Sequence, residues 1–242
     1  MEKKYIHFFG CSFTVGHELP DNEFFPWKKD CKTDREYHVR FANLVQIEEY
    51  TSLCKSMAFP SIIEKNNPDW LCINHAECAS SLKAEIFKTI KLIENNSQTI
   101  DYIVFQVPAF TRELALSATD ELENISIGFP DINSSRARAY ATASISSHSL
   151  DHWTIHALID LILFEGYLIS KNIKYMLLDI NGSTAFSIQQ LIKAETHWTI
   201  RTADCIDLKE YVHGHELGQH FDQETHYNFA RVLSEKIKET II

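Results

Sequence analysis

The sequence predicts a single α/β domain, because short apolar segments alternate with segments of helical periodicity along all 242 residues. Apolar residues make up 45% of the chain, which is enough for a full core, and 7 Gly and 6 Pro are too few for a fibrous or disordered chain. About five strands and no internal repeat are expected, which favours a mostly parallel sheet in one domain spanning residues 1–242.

The first half of the chain alternates strands with helices. In order, we predict a strand at Tyr5–Phe9, helices at 37–49 (Phe41, Leu44, Val45 and Ile47 facing inward) and 59–65, a strand at Trp70–Asn74, and a helix whose apolar face is Leu82, Ile86, Ile90 and Ile93. Residues 17–36 mix charge, proline and aromatic side chains, so we expect a loop lying over a cleft.

The second half continues the alternation. We predict a strand at 99–105, a long helix at 149–168, a strand at 174–179, a short helix at 188–194, a fifth strand or extended segment at 199–206, and a final helix marked by Phe229, Leu233, Ile237 and Ile241. Residues 114–140 show no convincing period. A long irregular segment at this edge of a sheet is often a substrate lid.

Charge and cysteine usage limit the partners and the compartment. The net charge of −10 disfavours nucleic acid as a partner. The N-terminus lacks the pattern of a secretory signal, and no segment reaches the roughly 18 uninterrupted apolar residues that span a bilayer. Six cysteines without a C-x-x-C pair are typical of reduced thiols. We therefore expect a cytoplasmic protein without a membrane partner.

A glycine-serine turn follows the first strand, in the stretch Gly10-Cys11-Ser12-Phe13-Thr14-Val15-Gly16. Gly10 allows a sharp turn, which lets Ser12 Oγ point into a cleft at the carboxyl edge of the sheet. The Ser12 N–H would lie near a helix start, where it suits a developing negative charge. The alternative is a polar turn that merely caps a helix.

This stretch resembles the first block of the SGNH, or GDSL-type, hydrolases, Gly-Asp-Ser-X-Thr-X-Gly, with Cys11 in place of Asp. The segment after the second strand resembles the second block, Asn-X-Ala-X-X-Gly-X-Ser, with Asn74, Ala76 and Ser81 in register. Ala79 stands at the glycine whose N–H is an oxyanion donor in that family. Alternatively, Ser80 or Ser81 is simply a helix N-cap.

The third block of the family, Gly-X-Asn-Asp, is largely lost. The chain has Gln106-Val-Pro-Ala-Phe-Thr111-Arg112-Glu instead, so Gln106, Thr111 or Arg112 could donate in place of the Asn. Arg112, with Arg136 and Arg138, also makes the region locally basic, which could accommodate an anionic substrate. Solvated surface charge is the alternative interpretation.

Two C-terminal histidines have the spacing of the fifth block, which implies that His220 is the catalytic base and His226 the structural histidine, with Ala230 in register and Phe221 replacing a Pro. Leu217 occupies the position of the catalytic Asp. Glu216, one residue earlier, is the nearest substitute acid, and Asp207 and Asp222 are others. An acid in this place orients the imidazole and stabilises its cation.

The resemblance implies a three-layer α/β/α sandwich of flavodoxin-like type with a mostly parallel five-stranded sheet. It implies a serine esterase or acyltransferase that acts through an acyl-enzyme without a cofactor. Ser12 would be the nucleophile, His220 the base, and the N–H groups of Ser12 and Ala79 oxyanion donors. A small-molecule or carbohydrate-linked acyl ester is the expected substrate; the sequence leaves the oligomeric state open.

Two alternatives stay open. The missing third-block Asn and the missing Asp are compatible with a catalytically silent binding module. A metal-dependent hydrolase could use the cluster of His213, His215, Glu216, His220 and His226, although its spacing lacks H-E-x-x-H. His152 and His156, four apart on the long helix, lack a third ligand in register. No metal is expected at either place.

Overall fold

The computed structural model describes residues 3–17, 19–20, 43, 47–78, 80–95, 98–108, 112–116, 122–126, 139, 150–179, 205–207 and 222–241. The described elements, in chain order, are β1 (Lys4–Phe9), α1 (Ser12–Val15), α2 (Glu48–Met57), α3 (Phe59–Asn66), β2 (Trp70–Asn74), α4 (Leu82–Asn95), β3 (Tyr102–Gln106), β4 (Arg112–Leu116), β5 (Leu122–Ser126), α5 (Leu150–Ser170), β6 (Tyr175–Asp179), β7 (Cys205–Asp207) and α6 (Gln223–Ile241).

A five-stranded sheet forms the centre of the fold, with strand order β2-β1-β3-β6-β7. Each neighbouring pair of these strands is parallel. Counted within the sheet, this is the order 2-1-3-4-5 of flavodoxin-like folds. The predicted α/β class with a parallel sheet is therefore confirmed, although the fifth strand has only three residues.

Helices cover both faces of the sheet, because the strands are apolar on both sides. On β3, Tyr102 and Val104 face one core and Ile103 and Phe105 face the other. The first core takes its helical residues from α3 and α6: Phe59, Ile62, Ile63, Phe229, Ala230, Leu233 and Ile237. The second takes them from α4 and α5: Leu82, Ala157, Leu161, Phe164 and Leu168. The three layers expected from the resemblance are thus present.

The helix around residue 50 differs from the prediction. Ile47, expected on the inner face of a helix at 37–49, has an extended backbone and is 44% exposed. The helix α2 begins after it and buries Tyr50 and Cys54, one turn apart. Glu48 and Glu49 explain this start, because acidic side chains stabilise the first turn of a helix. Nearly all of the predicted loop at 17–36 and the helix at 188–194 lie outside the described residues.

The segment predicted to be irregular contains two strands. β4 and β5 pair antiparallel, with Leu114 opposite Asn124. Each strand is stabilised by its hydrogen bonds to the other, and neither has a strong hydrophobic period of its own. The sequence pattern of either segment alone therefore did not indicate a strand. The helix predicted at 149–168 is found as α5; it continues to Ser170 and ends near Asn172, whose φ of 55° is typical of a helix C-terminus.

Two further findings bear on the sequence-based expectations. None of the helices in the described ranges combines the length and the apolar character that a membrane crossing requires. Cys11, Cys54, Cys72 and Cys78, the cysteines whose side chains are described, are free thiols.

Candidate active site

Ser12 lies at the carboxyl end of β1, as the first residue of the short helix α1. In the order β2-β1-β3, the crevice between β1 and β3 is the point where the strand order reverses, which is where doubly wound folds bind ligands. The Ser12 side chain is 4% exposed. Ser12 is the first residue of α1, and none of the described residues accepts a hydrogen bond from its N–H.

Gly10 makes the turn into α1 possible. Its φ of +153° is a conformation that L residues rarely adopt. A Cβ at this position would lie 2.5 Å from Thr14 Oγ1 and 2.6 Å from Gln106 Oε1, which is closer than such atoms can approach. The backbone at Gly10 is therefore packed directly against side chains of the site, and the glycine is required.

Buried side chains from β3 and α4 bind the backbone of this turn. Cys11 N–H donates to Gln106 Oε1 at 2.8 Å, and Gly10 N–H donates to Glu85 Oε2 at 3.0 Å. Gln106 Oε1 also accepts the Thr14 hydroxyl at 3.3 Å. Gln106 and Glu85 are both fully buried, so water does not compete for these bonds. The two residues before Ser12 are thus fixed by separate acceptors.

Glu85 is a buried carboxylate that is paired by a lysine. Lys88 Nζ lies 2.7 Å from Glu85 Oε1 and 2.7 Å from Glu77 Oε2. Burial raises the pKa of Glu85, and Lys88 together with the Gly10 N–H opposes that rise. Glu77 is itself linked to the turn, because its N–H donates to the Gly10 carbonyl at 3.2 Å. The network therefore joins the first two blocks of the resemblance.

Asn74 connects the second block to α1. Its Nδ2 donates to the Thr14 carbonyl at 2.8 Å, and its Oδ1 accepts the Ala76 N–H at 3.1 Å. The Asn74 carbonyl accepts Lys55 Nζ at 3.0 Å. Ser81 Oγ accepts the Ala84 N–H at 3.2 Å, so Ser81 is the N-cap of α4. This agrees with the alternative interpretation of the segment, in which a serine caps the helix.

A pair of histidines lies beside this junction. His7 Nδ1 is 2.9 Å from His75 Nε2, and His7 Nε2 is 2.9 Å from the Thr99 carbonyl. A carbonyl only accepts, so His7 Nε2 carries a proton and His7 Nδ1 accepts one from His75. Burial above all, with contributions in the same direction from His7, Lys55 and Lys88, lowers the pKa of His75 to about 4, and burial also lowers the pKa of His7. Both rings are therefore neutral at pH 7.

His226 binds the backbone of α3, which lies in the same layer as its own helix α6. It is 1% exposed in the first turn of α6, its Nδ1 accepts the Phe59 N–H at 3.1 Å, and its ring stacks on Phe59. Asp222 Oδ1 accepts the Thr225 N–H at 2.8 Å, which caps α6. These bonds anchor the helix that directly follows the segment containing His220.

The other predicted site residues divide into three groups. Gln106 lies at the site, and its Nε2 donates to the Val107 carbonyl at 2.6 Å. Arg112 begins β4, where only the backbone is described. Ala79, Thr111, Glu216 and His220, and with them His213 and His215, fall outside the described residues. Among the residues that are described, no group of three or more His, Cys, Asp or Glu side chains could hold a metal ion.

Sequence reasoning missed Glu85 and His75. Glu85 and Thr89 are one turn apart on α4, interleaved with the apolar positions Leu82, Ile86 and Ile90, and both are fully buried. A charged residue inside an apolar face was the available signal, since an unpaired charge is rarely buried. His75 stands at a variable position of the second block, so the resemblance carried no information about it.

The similarity of this chain to known proteins lies in its structure. No protein-family model matches the sequence, and no curated protein matches it. Three solved structures are similar. The first was assigned as a G-D-S-L family lipolytic protein from Desulfitobacterium hafniense (9% identity, 96% of this chain and 99% of that chain, TM-score 0.49). The second was assigned as an acylhydrolase from Bacteroides fragilis (10%, 100% and 92%, 0.47). The third is a carbohydrate esterase whose active site is described as having divergent catalytic and non-catalytic binding functions (13%, 99% and 69%, 0.48).

Proposed function

We propose that this chain is a divergent SGNH-type serine hydrolase that cleaves acyl esters, or transfers their acyl groups, through an acyl-enzyme. The observation that carries the proposal is the position of Ser12 at the reversal of the strand order, on a turn whose two preceding N–H groups are held by Gln106 and Glu85. A nucleophile needs this kind of support, because a small displacement of the attacking atom greatly lowers the rate.

The proposed reaction has two steps. Ser12 Oγ attacks the ester carbonyl carbon while His220 takes its proton, and the oxyanion is stabilised by the N–H groups of Ser12 and Ala79. The alcohol then leaves with the proton from His220, and the acyl group stays on Ser12. Water, deprotonated by His220, attacks this ester, and the acid is released as His220 returns the proton to Ser12 Oγ. An acceptor alcohol in place of water gives acyl transfer.

Four other residues are candidates for roles in this reaction. Glu216 orients the His220 imidazole and stabilises its cation. Thr111 or Gln106 donates to the oxyanion, and Arg112 binds an anionic part of the substrate. Of these, Gln106 has a competing role, because its carboxamide already binds the main chain on both sides. Stabilisation of the turn is its better-supported contribution.

A silent binding module is the second candidate, and the same observation on Gln106 favours it. At the end of β3, where the family places a donor for the oxyanion, the described side chain donates to the Val107 carbonyl instead. A cleft of this kind can bind an ester without cleaving it. The two candidates share the cleft but differ in turnover.

Hydrolysis of a short-chain nitrophenyl ester separates the candidates. The serine mechanism predicts hydrolysis by the wild type that is lost in Ser12→Ala and unaffected by a chelator, whereas Cys11→Ala, which removes the neighbouring buried thiol, retains it. Hydrolysis that survives Ser12→Ala but is lost to the chelator would identify the metal-dependent alternative. Absence of turnover on esters of several chain lengths, together with saturable binding of the same esters, would establish the binding module.

A further inference from the structure

One face of α5 is apolar and exposed, although the opposite face packs on the sheet. Ala157, Leu161, Phe164 and Leu168 are buried in the core. On the outer side, Ile155 is 44% exposed, Ile159 47%, Leu163 67% and Ile169 59%. Asp160 and Glu165 lie between this outer face and the core face, and an apolar stripe on a helix is normally buried against another element. The outer face of α5 therefore has the composition of a buried surface without being buried in the described structure.

A glycine lies in the middle of this face. Gly166 is exposed, and a Cβ added to it would meet nothing within 4 Å. Neither a close approach within the chain nor a left-handed backbone conformation requires glycine here. Glycine in a helix interior is destabilising relative to alanine. The space that it leaves open is on the outside of the molecule, next to Ile159 and Leu163.

The spacing of these residues is self-complementary. Ile159 and Gly166 lie at equal distances, along the helix, from the midpoint between Ile162 and Leu163, and Ile155 and Ser170 lie at equal distances from it too. A twofold axis through that midpoint, perpendicular to α5, would place each Ile159 opposite Gly166 of the other copy. The same contact then forms twice, as closed dimers with identical patches require.

We infer that α5 is the interface of a homodimer, in which two copies of the helix pack antiparallel and each Ile159 fills the space above the other Gly166. The four exposed apolar side chains present roughly 400 Å² per copy, about half of the ~800 Å² that each partner contributes to an interface of standard size. The half-buried Leu158 and Ile162, which lie along one edge of the stripe, would add to it. An interface of this size is typical of weak, reversible association rather than of an obligate dimer.

Sedimentation of the full-length protein over a concentration series tests this inference, with three variants and a control. Ile159→Asp should be monomeric. Gly166→Leu should weaken association at least ten-fold and yet melt at the same or a higher temperature, because the added side chain meets nothing within its own chain. Exchanging the two residues, by Ile159→Gly with Gly166→Ile, should restore association, since each isoleucine again faces a glycine. Tyr227→Asp, which changes an equally exposed side chain on the opposite layer, should leave association unchanged.

The Gly166→Leu variant distinguishes the proposed interlocking interface from non-specific association through an exposed apolar surface. It makes the outer face more apolar, so non-specific association would strengthen, whereas the proposed contact would be blocked. A wild type that stays monomeric at about 100 μM, or a Gly166→Leu variant that associates as tightly as the wild type, would overturn the inference. Neither result depends on the proposed esterase activity.

Discussion

Replacing Glu85 with methionine should destabilise the protein and slow the proposed reaction, whereas replacing it with glutamine should do little of either. Methionine matches the length of the side chain but leaves the buried Gly10 N–H without an acceptor. The cost of such an unpaired buried donor is about 1–3 kcal/mol of the free energy of unfolding. Lys88 is partly exposed and keeps Glu77 as a partner, so the loss of this ion pair adds little.

Glutamine retains an oxygen that can accept the Gly10 N–H and removes a buried charge, so its effect should stay within about 1 kcal/mol. For ester hydrolysis, Glu85→Met should lower kcat on the order of 100-fold, because the turn before Ser12 loses one of its two acceptors. Urea denaturation and a nitrophenyl ester assay measure both effects. Glu94→Met, which changes an exposed glutamate on the same helix, is the matched control and should leave the urea midpoint nearly unchanged. Equal stability and equal kcat of Glu85→Met and Glu85→Gln would refute the reasoning.

Three further predictions follow from the packing of the site. Gly10→Ala should lower the free energy of unfolding by ~3 kcal/mol or more, as urea denaturation would measure, because of its positive φ and the clash with Gln106; a loss below 1 kcal/mol would contradict this. The pKa of His75 falls from 6.5 to about 4 on folding, so the unfolded chain takes up the proton first, and stability should decrease as the pH is lowered from 6.5 to 4. Because His75 is partly exposed, we expect this loss to be about 1–2 kcal/mol of the free energy of unfolding. His75→Gln should therefore flatten the pH dependence of the urea midpoint over this range. An unchanged slope would contradict the assignment of His7 and His75 as a neutral pair. His226→Leu should cost about 1–3 kcal/mol in the same assay through the unpaired Phe59 N–H, and a wild-type midpoint would show that this N–H finds another partner.

The elements that the sequence predicted well are those whose pattern reflects burial on both sides of the sheet. β1, β3 and β6 appear close to their predicted bounds because buried parallel strands are continuous apolar runs. β2, a largely half-buried edge strand, also has its predicted bounds, Trp70–Asn74. The β4–β5 hairpin was missed because its stability comes from a partner strand that no local pattern records. The position of Ile47 was wrong for a different reason: its apolar side chain fitted a helical period, but the acidic residues after it set the helix start.

The part of the candidate site that could be predicted is the part formed by residues close together in the sequence. The glycine-serine turn predicts Ser12 at the carboxyl edge of the sheet, and Ser12 follows the end of β1 there. The support beneath that turn was not predictable, because Glu85 and Gln106 reach Gly10 and Cys11 from 75 and 95 residues away in the sequence. Gln106 is one of three candidate donors to the oxyanion, and its carboxamide binds the main chain through both its oxygen and its nitrogen. The roles of His220 and Glu216 stay predictions, since both fall outside the described residues.

Labelling with a fluorophosphonate probe, followed by mapping of the modified peptide, tests the central claim most directly. The probe reacts with an activated serine, so the account predicts a single adduct on the peptide that contains Ser12, lost in Ser12→Ala and strongly reduced in His220→Ala. An adduct on another serine, or labelling that persists undiminished in Ser12→Ala, would contradict it.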